Sequence, residues 1–194
     1  MTCLVLPGRT LLLVAGMPGA GKSTLLAALP PSPDVVVLDS DAFRAALLST
    51  VRLPYGWLRP LVHLLHRLAV LRAAWSPVST VVVHLPATAP GTRAAVARLA
   101  AATRRDAHLL WLDVDAEAAR EGQQVRGRVV PEASFRGHAD RAAATSVALR
   151  TRHPDGFRGV TVLDRQAARA GLRLRTGPVG PVTASSGTAL SRAS

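Results

Sequence analysis

Short apolar runs alternate with longer amphipathic segments along most of this chain. Neighbouring positions within each run are apolar, which is typical of strands buried on both faces of a parallel sheet. The predicted strands are Thr10–Ala15, Val35–Leu38, Thr80–His84, Leu109–Leu112 and Val160–Leu163. The predicted helices are Ser23–Leu29, Ala42–Leu48, Leu58–Trp75, Thr92–Arg104 and Ser134–Arg150. The third of them is expected to carry His63, His66, Arg67 and Arg72 on its polar side. This alternation predicts an α/β fold of three layers, with helices on both faces of a parallel sheet of about five strands.

The chain has room for one domain and a short extension. Its 194 residues suffice for a single sizeable core. After about Gly171 the sequence consists mostly of Gly, Pro, Ser, Thr and Arg, so we expect one domain over residues 1–174 and a disordered tail over 175–194. The Arg-, Gly- and Gln-rich stretch at about 116–136 predicts a short helix followed by a mobile lid.

The composition is typical of a globular protein of the cytoplasm. The chain is 48% hydrophobic and 19% charged, and no apolar run reaches the ~18 residues of a membrane-spanning helix. The first residues lack the basic region and the cleavage site of a signal peptide, so we expect a strand there and no membrane partner. One cysteine, Cys3, excludes an internal disulfide framework and suits a reducing compartment.

The net charge of +12 is less informative than it first looks. Of 24 basic residues 23 are arginine, and the chain has no isoleucine and no asparagine, which indicates a coding bias that replaces Lys by Arg. Part of the charge therefore reflects composition, although a positive field still attracts anionic ligands. The one lysine is Lys22, which this bias has not replaced. Its position therefore requires a compact ammonium, for which a planar guanidinium is no substitute.

Lys22 belongs to a complete phosphate-binding loop. The sequence from Gly16 to Ser23, GMPGAGKS, fits the P-loop pattern G-x-x-x-x-G-K-[ST] and lies between a predicted strand and a predicted helix. Its glycines let backbone N–H groups turn towards an anion, and Ser23 would be a hydroxyl ligand of Mg²⁺. The predicted nucleotide-binding residues of this loop are Gly16, Pro18, Gly19, Ala20, Gly21, Lys22, Ser23 and Thr24. The absence of asparagine excludes the usual guanine-reading motif, which favours ATP.

A second motif, Asp39-Ser40-Asp41-x-x-Arg44, follows the second predicted strand. Carboxyl ends of parallel strands meet at the ligand-binding edge of such a sheet, so these side chains should lie near the P-loop. Asp41 would accept the proton of an attacking hydroxyl, and Arg44 would hold an anionic part of the substrate. The structural alternative is that Asp39 or Ser40 caps the helix and that Arg44 is a solvated charge.

Three arginines of the 116–136 stretch are candidates for contacts with phosphate. Arg120, Arg126 and Arg128 could close over the triphosphate and neutralise charge that develops during transfer. Arg126 and Arg128 are the leading catalytic candidates because Gly127 separates them in a flexible stretch. In a chain so rich in arginine, any one of them could instead be a solvated charge.

Together, the P-loop, the Asp41-x-x-Arg44 motif and Arg126-Gly-Arg128 resemble the P-loop kinase group of polynucleotide 5′-kinases, zeta toxins and chloramphenicol phosphotransferase. Within it, the chain is most similar to AAA-domain ATP-binding proteins of actinobacteria. Over roughly residues 10–165 the resemblance implies a P-loop NTPase fold and γ-phosphoryl transfer to a hydroxyl, with Asp41 as base, Arg44 on the substrate and lid arginines on phosphate. It also implies that Arg165 lies near the adenine. The acceptor does not carry over, because members of the group phosphorylate unrelated molecules.

One position departs from that group. Many relatives end the third strand with an aspartate that supports Mg²⁺, whereas this chain has His84 there. Imidazole is a poor partner for hard Mg²⁺, so support would come from Asp39, from Asp113 or from water. Thr88 follows this strand and could contact substrate or cap the next helix.

Three hypotheses follow. The first is an ATP- and Mg²⁺-dependent kinase for a hydroxyl-bearing small molecule or nucleotide. The second is a nucleotide-binding regulator or weak ATPase without acceptor, because His84 replaces the acid. The third is a polynucleotide 5′-kinase or nucleic-acid binder, which the charge suggests but the arginine bias makes less favoured.

Overall fold

The computed structural model describes residues 1–50, 55–85, 87–125, 127 and 130–177. The strands of this part of the chain are β1 (Thr2–Leu6), β2 (Thr10–Gly16), β3 (Val35–Asp39), β4 (Thr80–His84), β5 (Asp106–Asp113), β6 (Gly159–Asp164) and β7 (Leu172–Thr176). Its helices are α1 (Lys22–Ala27), α2 (Ser40–Thr50), α3 (Tyr55–Trp75), α4 (Pro90–Ala102), α5 (Ala116–Val125), α6 (Glu132–Thr151) and α7 (Arg165–Arg169).

Five of these strands form one parallel sheet in the order β3-β4-β2-β5-β6. The strand before the P-loop, β2, lies at its centre, and all of its residues are buried because both neighbours and the flanking helices cover it. The predicted α/β fold with a five-stranded parallel sheet is therefore confirmed. Each predicted strand lies within an observed one.

The parallel register brings the predicted functional residues to one edge of the sheet. Asp39 at the end of β3 is paired with His84 at the end of β4. Gly16 at the end of β2 is paired with Leu112, one residue before Asp113. Because β2 lies between β4 and β5, the P-loop emerges between the ends of these neighbouring strands.

A second, two-stranded sheet was not expected from the sequence. The strand β1 pairs in parallel with β7, and Leu6 and Leu172 are buried in the core beneath it. The expected start of the tail, Arg175, lies inside β7, and the following amide of Gly177 donates to the carbonyl of Leu6 at 3.0 Å. The pairing with β1 and the burial of Leu172 together hold this segment in the fold. The rest of the predicted tail, 178–194, lies outside the described residues.

The long helix α3 is held by hydrogen bonds at its middle and near its C-terminal end. His66 was expected on the polar side of the helix, but it is buried, and its Nε2–H donates to the carbonyl of Leu38 on β3 at 3.2 Å. Burial lowers the pKa of His66, so the ring is neutral. Near the C-terminal end of α3, the buried guanidinium of Arg105 donates to the carbonyls of Ala74 and Ser76, both at 2.7 Å.

A half-buried histidine on β5 makes stability depend on pH. Burial, with a smaller contribution from the charge of His153, lowers the pKa of His108 from 6.5 to about 4. The unfolded chain therefore binds a proton at His108 more readily than the folded chain does. The stability contributed by neutral His108 is complete above pH 6.5 and is lost as the pH falls towards 4. Allowing for partial exposure, we expect a loss of about 2 kcal/mol in the free energy of unfolding.

Urea denaturation at a series of pH values between these limits tests this expectation. The Nε2 atom of His108 lies 2.9 Å from Oγ1 of Thr161, a contact that a glutamine amide can also make. In His108→Gln the acid-dependent loss should therefore shrink by about 2 kcal/mol. An identical pH profile for both proteins would show that His108 is not its source.

Candidate functional site

The P-loop has the backbone conformation that its sequence predicts. Gly19 and Gly21 have φ angles of 92° and 94°, which side-chain-bearing residues rarely adopt. Gly16 lies so close to β5 that an added Cβ would meet the carbonyl oxygen of Leu112 at 2.8 Å. Each of these three glycines is thus required by the backbone path of the loop.

Lys22 packs against the loop that precedes it. Its side chain is 5% exposed, and Nζ donates to the carbonyl oxygens of Gly16 and Met17, both at 2.9 Å. The ammonium therefore lies inside the turn of the P-loop rather than in solvent. A guanidinium is wider and planar and cannot make the same two contacts.

The first of the two carboxylates after β3 caps a helix, and the second contacts the P-loop. Oδ1 of Asp39 accepts from the amide of Asp41 at 2.9 Å, which is a cap for the first turn of α2. Oδ2 of Asp41 accepts from the hydroxyl of Ser23 at 3.1 Å. The structure thus brings the predicted base against the P-loop serine.

The histidine at the end of β4 is bound to the first of these carboxylates. Nδ1 of His84 lies 2.5 Å from Oδ1 of Asp39, and both side chains are largely buried. Burial alone raises the pKa of Asp39, but the hydrogen bond and charge of His84, with hydrogen bonds from Asp41 and Ser23, outweigh it and lower the pKa. Asp39 therefore stays ionised, with His84 as its direct partner.

The oxygen atoms around Ser23 suit Mg²⁺. Magnesium prefers oxygen ligands and is usually held by one or two protein groups together with water and phosphate oxygens. The hydroxyl of Ser23 and the carboxylate of Asp39, which share a hydrogen bond, form such a set. Over the part of the chain that the structure describes, no three His, Cys, Asp or Glu side chains come together as a self-sufficient metal cluster. A site completed by nucleotide oxygens fits these residues better than an all-protein one.

A polar cluster that the sequence did not predict surrounds Thr88. The buried hydroxyl of Thr88 lies 3.0 Å from Nδ1 of His138 on α6, and Nη2 of Arg141 approaches the same nitrogen at 3.4 Å. Arg93 donates to the carbonyls of Ala87 and Thr88 at 2.9 and 3.0 Å. Burial, then the charges of Arg141 and Lys22, lowers the pKa of His138, so a neutral imidazole lies near the P-loop lysine. Sequence spacing could not reveal this, because fifty residues separate Thr88 from His138.

Helix α5 packs directly on the backbone of the P-loop. A Cβ at Gly122 would meet the carbonyl oxygen of Gly19 at 2.3 Å, and a Cβ at Gly19 would meet that of Ala119 at 1.9 Å. Gln123 is buried, donates to the carbonyl of Pro18 at 3.0 Å and accepts from the amide of Val130 at 3.0 Å. The first part of the predicted lid is therefore fixed to the phosphate loop.

The lid arginines have different surroundings. Arg120 makes a two-point ion pair with Glu132, at 2.6 and 2.9 Å, and its guanidinium stacks 4.5 Å from the ring centre of Phe135. Arg165 donates to Glu121 on α5 at 3.1 Å. Their contacts with nucleotide stay predictions, and Arg120 would have to leave Glu132 to make one. Arg126 and Arg128 lie outside the described residues.

Asp113 is engaged away from the P-loop. Its Oδ1 accepts from the hydroxyl of Ser146 at 2.6 Å, and that hydroxyl accepts from Nε1 of the buried Trp111 at 2.9 Å. Arg150 lies 3.7 Å from its other oxygen. Of the two carboxylates considered as metal support, the structure therefore favours Asp39. Arg44 is half-buried on α2, and Thr24 is exposed on α1.

Comparison with known proteins gives the family. A model of the family described as AAA domain matches residues 11–145, from β2 into α6. The chain belongs to the AAA domain family. The matched part of this AAA-domain protein includes the P-loop, both carboxylates and all of α5. No curated protein matches the chain.

Solved structures show the same fold at low identity. A chain of the PezAT toxin–antitoxin system of Streptococcus pneumoniae aligns with a TM-score of 0.58 at 13% identity, over 82% of this AAA-domain protein and 68% of that chain. A provisionally assigned kinase from Chloroflexus aurantiacus aligns with a TM-score of 0.59 at 15% identity, over 81% and 86%. The resemblance to the P-loop kinase group is thus confirmed for family and fold.

The AAA-domain protein is a P-loop kinase or another nucleotide-binding protein of that fold. Within the described residues, none of its helices combines the length and apolarity that a bilayer span requires. Its similarity to actinobacterial proteins in particular stays a prediction.

Proposed function

We propose that this protein is an ATP-dependent kinase that transfers the γ-phosphoryl group to a hydroxyl of a small molecule or nucleotide. The observation that carries the proposal is the 3.1 Å hydrogen bond between Ser23 and Asp41. A P-loop alone binds nucleotide. A carboxylate held against its serine supplies the group that a hydroxyl acceptor needs beside the phosphates.

Each residue has a defined part in this reaction. Lys22 and the P-loop amides bind the β- and γ-phosphates, and Arg44 holds an anionic part of the acceptor. Asp41 orients the acceptor hydroxyl and takes its proton. A bond forms between the acceptor oxygen and the γ-phosphorus while the bond from that phosphorus to the β–γ bridging oxygen breaks, and ADP leaves. Arg126 and Arg128 offset the charge that develops.

Magnesium, when bound, neutralises phosphate charge. Ser23 would hold it directly, with Asp39 as a further ligand. Because α2 begins immediately after Asp39, the same helix start fixes the distance between this carboxylate and Asp41.

Replacing Asp41 by Asn tests the proposal most directly. The amide has nearly the same shape and can still meet Ser23, but it cannot accept a proton at neutral pH. Transfer of labelled γ-phosphate to a panel of hydroxyl-bearing acceptors should fall about 100-fold or more in Asp41→Asn. The Kd for ATP with Mg²⁺, measured by calorimetry, should change less than about threefold, since binding rests on the P-loop.

Asp140→Asn is the matched control, because Asp140 is a carboxylate on α6 that has no role in the proposed reaction. It should transfer phosphate as well as the unchanged protein. Equal transfer by Asp41→Asn and the unchanged protein would refute Asp41 as the base. If neither Asp41→Asn nor the unchanged protein bound ATP, the nucleotide site itself would be refuted.

The contact between His84 and Asp39 favours a second candidate function. His84 occupies Asp39, the carboxylate best placed to support Mg²⁺. Weakened support for the metal is expected of a nucleotide-binding regulator that hydrolyses ATP slowly or not at all. Mg²⁺-dependent ATP binding, with no transfer to any acceptor and no hydrolysis above background, would favour this candidate over the kinase.

A further inference from the structure

The outer face of α3 carries a row of exposed apolar side chains. Leucines and one tryptophan recur along it at alternating spacings of three and four residues, at Leu61, Leu64, Leu68, Leu71 and Trp75. Their exposed fractions run from 42% for Leu61 to 67% for Trp75. We call these five residues the α3 stripe.

The α3 stripe is distinct from the face that holds the helix in the fold. The buried positions of α3 include Leu58, Val62, His66 and Val70, which recur every four residues. On a helix with 3.6 residues per turn, these positions and the stripe lie on opposite sides. Packing of the domain therefore does not account for the stripe.

Such a row is the seam by which one helix packs against another. Alternating spacings of three and four residues keep apolar side chains facing a partner helix, where each inserts between four residues of the other. Isolated exposed leucines need no explanation, but a contiguous apolar row on a soluble domain marks an interaction surface.

The charges beside the stripe define the partner. Arg67 and Arg72 are exposed next to it, and no ion pair of either is found within the described residues. The sequence of α3 contains no Asp or Glu. We propose that the α3 stripe binds an amphipathic helix of another protein whose apolar face is flanked by acidic residues.

Two other occupants fit these observations less well. A second copy would set Arg67 and Arg72 against the same charges, on chains that each carry a net charge of +12. An anionic membrane surface is usually recognised by clusters of about four to eight basic residues, whereas the arginines seen beside this stripe among the described side chains are Arg67 and Arg72. A partner with acidic flanks satisfies both the apolar row and the arginines.

Binding of designed helical peptides to the full chain tests the proposal. The acidic peptide is as long as α3, with leucine along its seam and glutamate on both flanks, and the basic peptide has lysine in place of glutamate. Fluorescence anisotropy should show binding of the acidic peptide about tenfold or more tighter than of the basic one. Equal affinity for both, or no binding of either, would overturn the proposal.

Variants separate the apolar and the charged contributions. The double variant L64Q/L68Q should bind the acidic peptide about tenfold or more weakly. The control Val147→Gln, at an exposed apolar position on α6, should leave the affinity for that peptide unchanged. The double variant R67E/R72E should reverse the preference and bind the basic peptide better. Unchanged affinity in L64Q/L68Q, with the fold intact by circular dichroism, would contradict the assignment of the surface.

A second copy of the chain and a membrane surface would each give a different experimental result. Sedimentation that shows a dimer of the unchanged chain, dissociated by L64Q/L68Q, would identify a second copy instead. Binding to phosphatidylserine vesicles without binding to the acidic peptide would identify a membrane surface. Either result would overturn the proposal, and ATP binding should be the same in every variant because the α3 stripe is independent of the proposed kinase reaction.

Discussion

Replacing Lys22 by Arg should strongly reduce phosphoryl transfer, although 23 of the 24 basic residues of this chain are arginine. The side chain of Lys22 is buried to 5% exposure, and its ammonium fits within the turn of the P-loop against two carbonyl oxygens. A guanidinium in that space would displace the loop or point away from the phosphates. We expect transfer to fall about 100-fold or more, equivalent to about 2.7 kcal/mol of lost transition-state stabilisation.

The matched control exchanges the same two residue types at the surface. Arg98 lies exposed on α4, where Arg98→Lys should change neither stability nor transfer. Calorimetry with ATP and Mg²⁺ then shows whether Lys22→Arg also weakens nucleotide binding. If Lys22→Arg retained full transfer, the occurrence of the one lysine of the sequence at this position would be accidental.

The second large effect is expected from one methyl group at Gly122. In an ordinary helix, glycine to alanine is stabilising by about 0.5–1 kcal/mol. On α5 the added Cβ would meet the carbonyl oxygen of Gly19 at 2.3 Å, and this neighbour is backbone that cannot rotate away. Gly122→Ala should therefore destabilise the fold by about 2 kcal/mol and weaken ATP binding about tenfold or more, because the P-loop must shift.

Gly91→Ala provides the comparison, since Gly91 is a helical glycine of α4 whose Cβ would have no neighbour within 4 Å. It should be neutral or stabilising by about 0.5 kcal/mol, with ATP affinity unchanged. Thermal unfolding and calorimetry on both variants distinguish the two cases. If Gly122→Ala behaved like Gly91→Ala, α5 would not constrain the phosphate loop.

The edge of the sheet that carries the P-loop could be predicted because the sequence patterns that identify it lie within short segments. Continuous apolar runs identify buried parallel strands, and a strand followed by the P-loop pattern fixes the position of Lys22 and Ser23. Asp41 follows from the rule that ligands bind beyond the carboxyl ends of such strands. The 3.1 Å contact between Ser23 and Asp41 is what that rule leads one to expect.

Other features depended on which distant segments meet. The strand β7 has only two apolar residues, Leu172 and Leu174, alternating with arginines, and it forms against β1 from the start of the chain. His66 was expected on the outside of α3 because it is polar, yet it is buried, since the carbonyl of Leu38 satisfies its ring nitrogen. Amphipathic spacing identifies the helix, but it does not say which face the core takes.

The sequence by itself determined the fold class, the P-loop and the candidate base, because strand runs and motif spacings are properties of adjacent residues. Only the tertiary structure decided that His84 contacts Asp39, that Gly122 touches the P-loop and that the α3 stripe faces outward. Each of these depends on the packing of elements far apart along the chain, and a pattern along one segment does not encode the partner it meets.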